Sequence, residues 1–242
     1  NKSMKNSLLF VLVSWCTICF SQKTVTFPSK DGLLITADIY DVKTDKPLIL
    51  MCHQAGYSRG EYIETALKLN EMGYSCIAID QRSGSRVGGV PNETAQRAVD
   101  KKLPGDYLDA RQDIEAAVDF AYERSKKPIY IMGSSYSASL ALIIGNSSDK
   151  IGAVMAYSPG EYFNGEIIVA DEVKGLNKPT YITSARFEAN NVSTIVNRID
   201  PKYVTHYIPN VKGLHGSKTL WKSTDGFEQF WESLASFLGS ML

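Results

Sequence analysis

Net charge is missing from this sequence: Lys and Arg together number 26, Asp and Glu 26, and the formal balance is +0. A nucleic-acid-binding chain carries a basic excess or a basic stripe; neither is present, and no nucleic-acid partner is expected. Cysteine is scarce, at 4 residues. Cys16 and Cys19 fall in an apolar N-terminal stretch, which leaves Cys52 and Cys76. Each of these lies in a short apolar run at a different height on its predicted strand, where cysteine behaves as a small core residue, and no disulfide between them is expected. Histidine numbers 3, namely His53, His206 and His215, and no His/Cys/Asp cluster has the spacing of metal ligands. Neither a metal nor an organic cofactor is therefore expected. Repeats and low-complexity tracts are absent. Long hydrophobic runs are absent too: the uncharged stretch Leu8–Phe20 falls short of the roughly 20 residues that a membrane-spanning helix needs.

That same stretch follows Lys2 and Lys5, the pattern of a signal peptide. Cleavage is expected before Gln22, making residues 1–21 the signal and residues 22–242 one domain. A secreted or periplasmic protein with no stable membrane span after cleavage is the expectation. An uncleaved anchor, or lipid carried on Cys16 or Cys19, is the alternative. The whole chain of 242 residues, 44% hydrophobic and 21% charged, is long enough for one large domain with a full core.

Periodicity orders the rest. Lys23 to Pro28 and Leu33 to Tyr40 alternate around an Asp31-Gly32 turn, as in a hairpin. Pro47 to Cys52 and Tyr74 to Ile79 are continuous apolar runs, as in strands covered on both faces. Helical spacing runs from Glu61 to Met72, stopping at Gly73, and from Asp106 to Arg124. Asp80 to Gly105 reads as a long connection, either functional or mobile. Ile129 to Met132, Ile151 to Tyr157, Pro179 to Thr183 and Tyr203 to Ile208 are further strands, and Phe227 to Leu238 a closing helix. A hairpin followed by alternating strands and helices implies a mostly parallel sheet with helices on both faces.

One segment carries the chemistry. Gly133-Ser134-Ser135-Tyr136-Ser137 joins the strand ending at Met132 to the apolar stretch Ala138–Ile144. A strand, a tight turn centred on a serine and a helix make a nucleophile elbow. The turn needs a small residue two positions before the serine, which Gly133 supplies, and another two positions after, where Ser137 replaces the usual glycine. Ser134 is the poorer nucleophile, because bulky Met132 precedes it by two.

With this elbow after the fifth strand, the chain from residue 22 onward resembles the α/β-hydrolase fold: a mostly parallel eight-stranded sheet with helices on both faces. The short 158–178 segment leaves no room for a sizeable cap domain, so an open, shallow site is expected. The resemblance is to small capless carboxylesterases and dienelactone-hydrolase-like enzymes. It implies a chain order of serine, acid, histidine. Ser135 is then the nucleophile and His215, in a glycine-flanked loop after the last strand, the base. His206 reads as a strand histidine. Glu188, three residues past Ala185 at the end of the seventh strand, is the candidate acid, with Glu161 its competitor and Asp171 a third option.

In this fold the oxyanion is held by two amides. Here they would be Tyr136 N–H and, from the Cys52-His53-Gln54-Ala55-Gly56-Tyr57 loop, Ala55 N–H, with Gln54 N–H as fallback. His53 would brace that loop. Gln54, Tyr57, Phe187 and Trp221 are the candidate substrate-binding residues, with Tyr136, Tyr162 and Phe163 also near predicted site loops. Arg59, Arg82 and Arg86 would be solvated or would meet an anionic group. The activity implied is hydrolysis of a small-molecule or polymeric ester. A peptidase or thioesterase using the same triad is the alternative, and a non-catalytic binding protein is the rival that Ser137 and Glu188 permit.

Overall fold

The structure is a computed structural model that describes residues 21–241. The predicted signal lies outside the described residues except for Ser21, which opens the first strand. Eight strands form one sheet: β1 (Ser21–Pro28), β2 (Leu34–Asp41), β3 (Ile49–Cys52), β4 (Cys76–Ile79), β5 (Ile129–Ser134), β6 (Ile151–Tyr157), β7 (Thr180–Thr183) and β8 (Val204–Tyr207). Their order is β1-β2-β4-β3-β5-β6-β7-β8. Within this sheet, among the described residues, only β1–β2 and β2–β4 pair antiparallel; β3 to β8 run parallel.

Strand alternation builds two cores, because successive side chains leave opposite faces of a sheet. Leu50, Cys52, Ile131, Val154 and Ala156 face one way, where α3 (Arg111–Ser125), α4 (Tyr136–Ser147) and α6 (Ala189–Val196) pack. Ile49, Met51, Met132, Met155 and Tyr157 face the other, under α1 (Ile63–Glu71) and α7 (Phe227–Gly239). Each fully buried Leu, Ile or Met is worth about 1.5–3 kcal/mol against exposure, so a one-residue slip in a central strand would move several such terms to the wrong face. Cys52 and Cys76 are free. Cys76 pairs with Ile49, and Cys52 with Ile79, which sets them at opposite ends of adjacent strands.

The structure revises two sequence expectations and adds one helix that the sequence pattern did not announce. The 80–105 connection is not bare loop: it holds a two-stranded hairpin, Arg86–Val87 with Val90–Pro91, and α2 (Glu93–Asp100). Asn92 caps α2 by accepting from Ala95 N–H at 2.7 Å, and Thr94 of the same helix accepts from Thr36 N–H of β2. The third helix begins at Arg111 rather than Asp106, because the Asp109 carboxylate takes Asp106 N–H at 2.8 Å; such local side-chain bonds compete with helix. Finally, α6 has no clear helical signal. Asn190, Asn191, Ser193 and Thr194 are poor helix formers, and the burial of Val192, Ile195 and Val196 supplies what propensity lacks. A short α5 (Val169–Glu172) is the only helix within the 158–178 segment, and no cap stands over the sheet among the described residues. No described helix is long and apolar enough to cross a membrane.

Candidate active site

The C-terminal ends of β3, β5, β6 and β7 and the loop after β8 converge on Ser135. It sits between β5 and α4 with φ 60 and ψ −125, a sparsely populated conformation that costs on the order of 1–3 kcal/mol. The surroundings enforce it: Ser135 N–H bonds Tyr157 O at 2.8 Å, and α4 is buried from Tyr136 to Gly145. A Cβ on Gly133 would lie 2.3 Å from Ser137 O, so the elbow closes only with glycine there. Ser137 fits without displacing anything. Its hydroxyl donates to His53 O at 2.6 Å and accepts from Gln81 Nε2 at 2.6 Å, which ties the first turn of α4 to the ends of β3 and β4.

His215 Nε2 lies 2.8 Å from Ser135 Oγ, and His215 Nδ1 hydrogen-bonds Glu188 Oε1. Glu188 ends a one-turn 3-10 helix, Arg186–Glu188, just beyond β7. Its other oxygen accepts from Ser158 Oγ at 2.7 Å and Ala185 N–H at 3.0 Å. Burial pushes the Glu188 carboxyl up, but the donors from His215 and Ser158 outweigh it and hold the group below the usual carboxylate range. Ser158 also accepts from Gly216 N–H at 2.9 Å, linking the acid to the histidine loop. Ser158 is a site residue marked in the sequence only by its place directly after β6. Gly216 has φ 72, and a Cβ there would lie 2.4 Å from Ser134 Oγ; only glycine lets this loop approach the elbow.

Glu161 stands elsewhere. Its carboxylate accepts from Val169 and Ala170 N–H at 2.7 and 2.8 Å, capping α5. Asp171 pairs with Lys174 and Arg198 at the surface. His206 lies in β8.

In the β3 loop, His53 is wholly buried. Its Nδ1 meets Gln54 O at 2.8 Å, and Nε2 accepts from Gln81 N–H at 3.0 Å. Burial lowers its pKa, which keeps the ring a neutral brace. Half-buried Ala55 follows Gln54, whose own N–H is taken by Glu61 Oε2 at 2.8 Å. Gln54 therefore cannot serve as the fallback amide donor. Its side chain, 6% exposed and bonded to Glu61, belongs to the loop interior and not to a substrate surface. Glu61 itself is 1% exposed, and in the sequence it stands as the first residue of a helical pattern, with nothing to mark it as part of the site.

The remaining candidates divide. Tyr57 stacks on Trp221 with ring centroids 6.5 Å apart, and Lys218 Nζ lies 5.5 Å from the Tyr57 ring centre. Phe187 is 74% exposed, beside Glu188. Tyr136 is fully buried and its ring stacks on Tyr107, so the ring forms no wall of the site. Tyr162 donates to Ser158 O at 2.8 Å and separates two clefts of ≈ 240 and ≈ 380 Å³, neither of which Ser135 lines. A larger groove of ≈ 530 Å³ between α1 and α7 contains no triad residue. Arg59 and Arg82 are neither solvated nor free for an anion: Arg59 pairs with Asp38 and Asp80, and Arg82 with Asp31 and Asp113. Arg86 is exposed. No group of three or more His, Cys, Asp or Glu capable of holding a metal occurs among the described residues.

Strand order, elbow and helix placement define the α/β-hydrolase fold. The chain is similar to an esterase of Pyrococcus furiosus, with a TM-score of 0.72 at 19% identity, covering 91% of this chain and 93% of that one. It is similar also to a dienelactone hydrolase of Anabaena variabilis, with a TM-score of 0.68 at 14% identity over 90% and 95% of the two chains, and to the α/β hydrolase GrgF of a Penicillium species, with a TM-score of 0.67 at 12% identity over 90% and 98%. No protein-family model and no curated protein sequence matches it.

Proposed function

We propose that this protein is a serine hydrolase that cleaves carboxylic esters through an acyl-enzyme on Ser135. The observation that carries the reading is the continuous chain of contacts from Ser135 Oγ to His215 Nε2 at 2.8 Å, and from His215 Nδ1 to Glu188. A serine hydroxyl is a weak nucleophile until a base accepts its proton. His215 takes that proton as Oγ attacks the acyl carbonyl. The imidazolium is stabilised by Glu188, whose lowered pKa keeps it a carboxylate at neutral pH. The developing oxyanion is received by the amides of Ala55 and Tyr136. His215 then hands its proton to the leaving alcohol, and water repeats the sequence on the acyl-enzyme. The esterase and dienelactone hydrolase among the structural neighbours agree with this class, and the absence of a cap over the described residues suits an open site.

A fluorophosphonate probe tests the reading directly, because it reacts only with an activated serine. Labelling of the wild type at Ser135, abolished in Ser135→Ala, is the expected result. Folded wild-type protein that stays unlabelled would leave a binding scaffold as the better account. Hydrolysis of a p-nitrophenyl ester series from acetyl to dodecanoyl then ranks acyl chains.

A further inference from the structure

The buried carboxyl group of Glu61 contacts three of the four loops that the proposed mechanism uses, all but the turn that carries Glu188, yet it touches none of the reacting atoms. It sits on a single 3-10 turn, Arg59–Tyr62, whose four residues are all buried. Four donors converge on it. From the oxyanion loop come Gln54 N–H at 2.8 Å and Gln54 Nε2 at 3.1 Å. From the elbow comes Ser134 Oγ at 2.7 Å, and from the histidine loop Ser217 Oγ at 2.6 Å. Ser134 in turn accepts from Ser217 N–H at 2.9 Å, which closes the network. Each contact falls one or two residues from a working group: Gln54 precedes Ala55, Ser134 precedes Ser135, and Ser217 follows His215 by two.

The turn that carries Glu61 is itself immobilised. Arg59 N–H bonds Asp80 Oδ1 at 2.8 Å, Tyr62 Oη donates to Cys52 O at 2.7 Å, and Trp221 Nε1 donates to Glu61 O at 2.9 Å. The carboxyl group is therefore a fixed point against which the loops are set.

We propose that Glu61 is a positioning residue for the reaction: its carboxyl group holds the Ala55 amide, Ser135 and His215 in one arrangement by tying their three loops together. The proposal rests on the serine-hydrolase reading for the identity of those working groups. A carboxylate is suited to the task because both of its oxygens only accept, offering about four sites, and four donors are present. Oε1 takes three of them and Oε2 takes Gln54 N–H. A glutamine of the same shape fails. With its oxygen toward the serines, its NH₂ faces Gln54 N–H, donor against donor, and the oxyanion loop loses its main-chain tether while keeping the one through Gln54 Nε2. Turned over, the NH₂ faces the other three donors.

The test compares wild type with Glu61→Gln by p-nitrophenyl acetate kinetics and by hydrogen exchange of backbone amides. A misplacement near 1 Å costs about 10²-fold in rate, so kcat of Glu61→Gln should fall about 10²-fold, with KM nearly unchanged, because the lost arrangement acts in the transition state. Exchange should quicken at Gln54 and Ser217 while Ile131 and Met155 of the central strands keep their protection. Ser217→Ala removes one donor and leaves the other three. It should lower kcat several-fold and quicken exchange at Gly216 without affecting Gln54, and it carries the test if Glu61→Gln does not fold. Wild-type kcat in either folded variant overturns the proposal. So does a uniform loss of protection across β3, β5 and β6, which would mark Glu61 as ordinary core. The exchange measurement stands without any activity, so a wild type that fluorophosphonate does not label would defeat the hydrolase reading while leaving the tying of the loops decided by exchange.

Discussion

At the scale of single residues, the choice of acid shows how geometry separates groups of identical chemistry. Glu188 and Glu161 both follow strand ends, and either could reach a histidine in a related arrangement. The structure sets Glu188 against His215 Nδ1 and gives Glu161 to the amides of Val169 and Ala170. Glu188→Gln should therefore lower kcat by roughly 10⁴-fold, the scale of removing the carboxylate from such a triad, while Glu161→Gln keeps kcat near wild type. Steady-state hydrolysis of a p-nitrophenyl ester by the two variants checks this, and equal losses would undo the assignment. Ser135, His215 and Glu188 were legible because a nucleophile elbow, a glycine-flanked histidine and a strand-end carboxylate leave local marks. Glu61 left none and Ser158 only its place after a strand end, since their roles come from partners 73 and 30 residues away.

Among elements, the junction of β5 and α4 is where this chain departs from the usual pattern, with Ser137 in the place of glycine. The departure is compensated. Ser137 Oγ replaces an empty position with two 2.6 Å bonds, to His53 O and from Gln81 Nε2. Ser137→Gly would restore the common motif and yet remove a buried hydrogen-bonding group and place glycine in a helix, so it should lower stability by about 1–3 kcal/mol. Urea unfolding measures this, and an unchanged midpoint would show that the two bonds contribute nothing net. The regular strands and α7 could be read from periodicity because their burial pattern matches the period of the backbone. α2 and α6 could not. The first lies in a polar stretch and is anchored by Asn92 and by Thr94 against β2; the second is held by packing that its own composition does not announce.

For the molecule as a whole, buried polar groups make stability depend on acidity. His53, wholly buried, is held below its ordinary pKa by desolvation. Below roughly pH 6.5, the ordinary histidine value, the unfolded chain binds a proton that the folded chain refuses. Stability from this group is thus complete above that pH and is lost as pH falls through it. His53→Gln removes the titration. The advantage in Tm of wild type over that variant should narrow between about pH 7 and about pH 5, as thermal melts across that range would show. A constant difference would mean that His53 stays protonated or neutral in both states.

The sheet, the elbow and the lack of room for a cap could be read along the chain, because each rests on local periodicity, a short motif or chain length, while the order of the elbow's partners followed from the resemblance to α/β-hydrolases. Packing across the fold selects which carboxylate meets His215, turns Gln54 inward, commits Arg59 and Arg82 to internal ion pairs, and brings Glu61 against three loops. Those outcomes depend on which groups share a low-dielectric interior, where leaving a buried donor or acceptor without a partner is costly and most therefore find one. That matching is made across the fold, between residues that chain distance keeps apart.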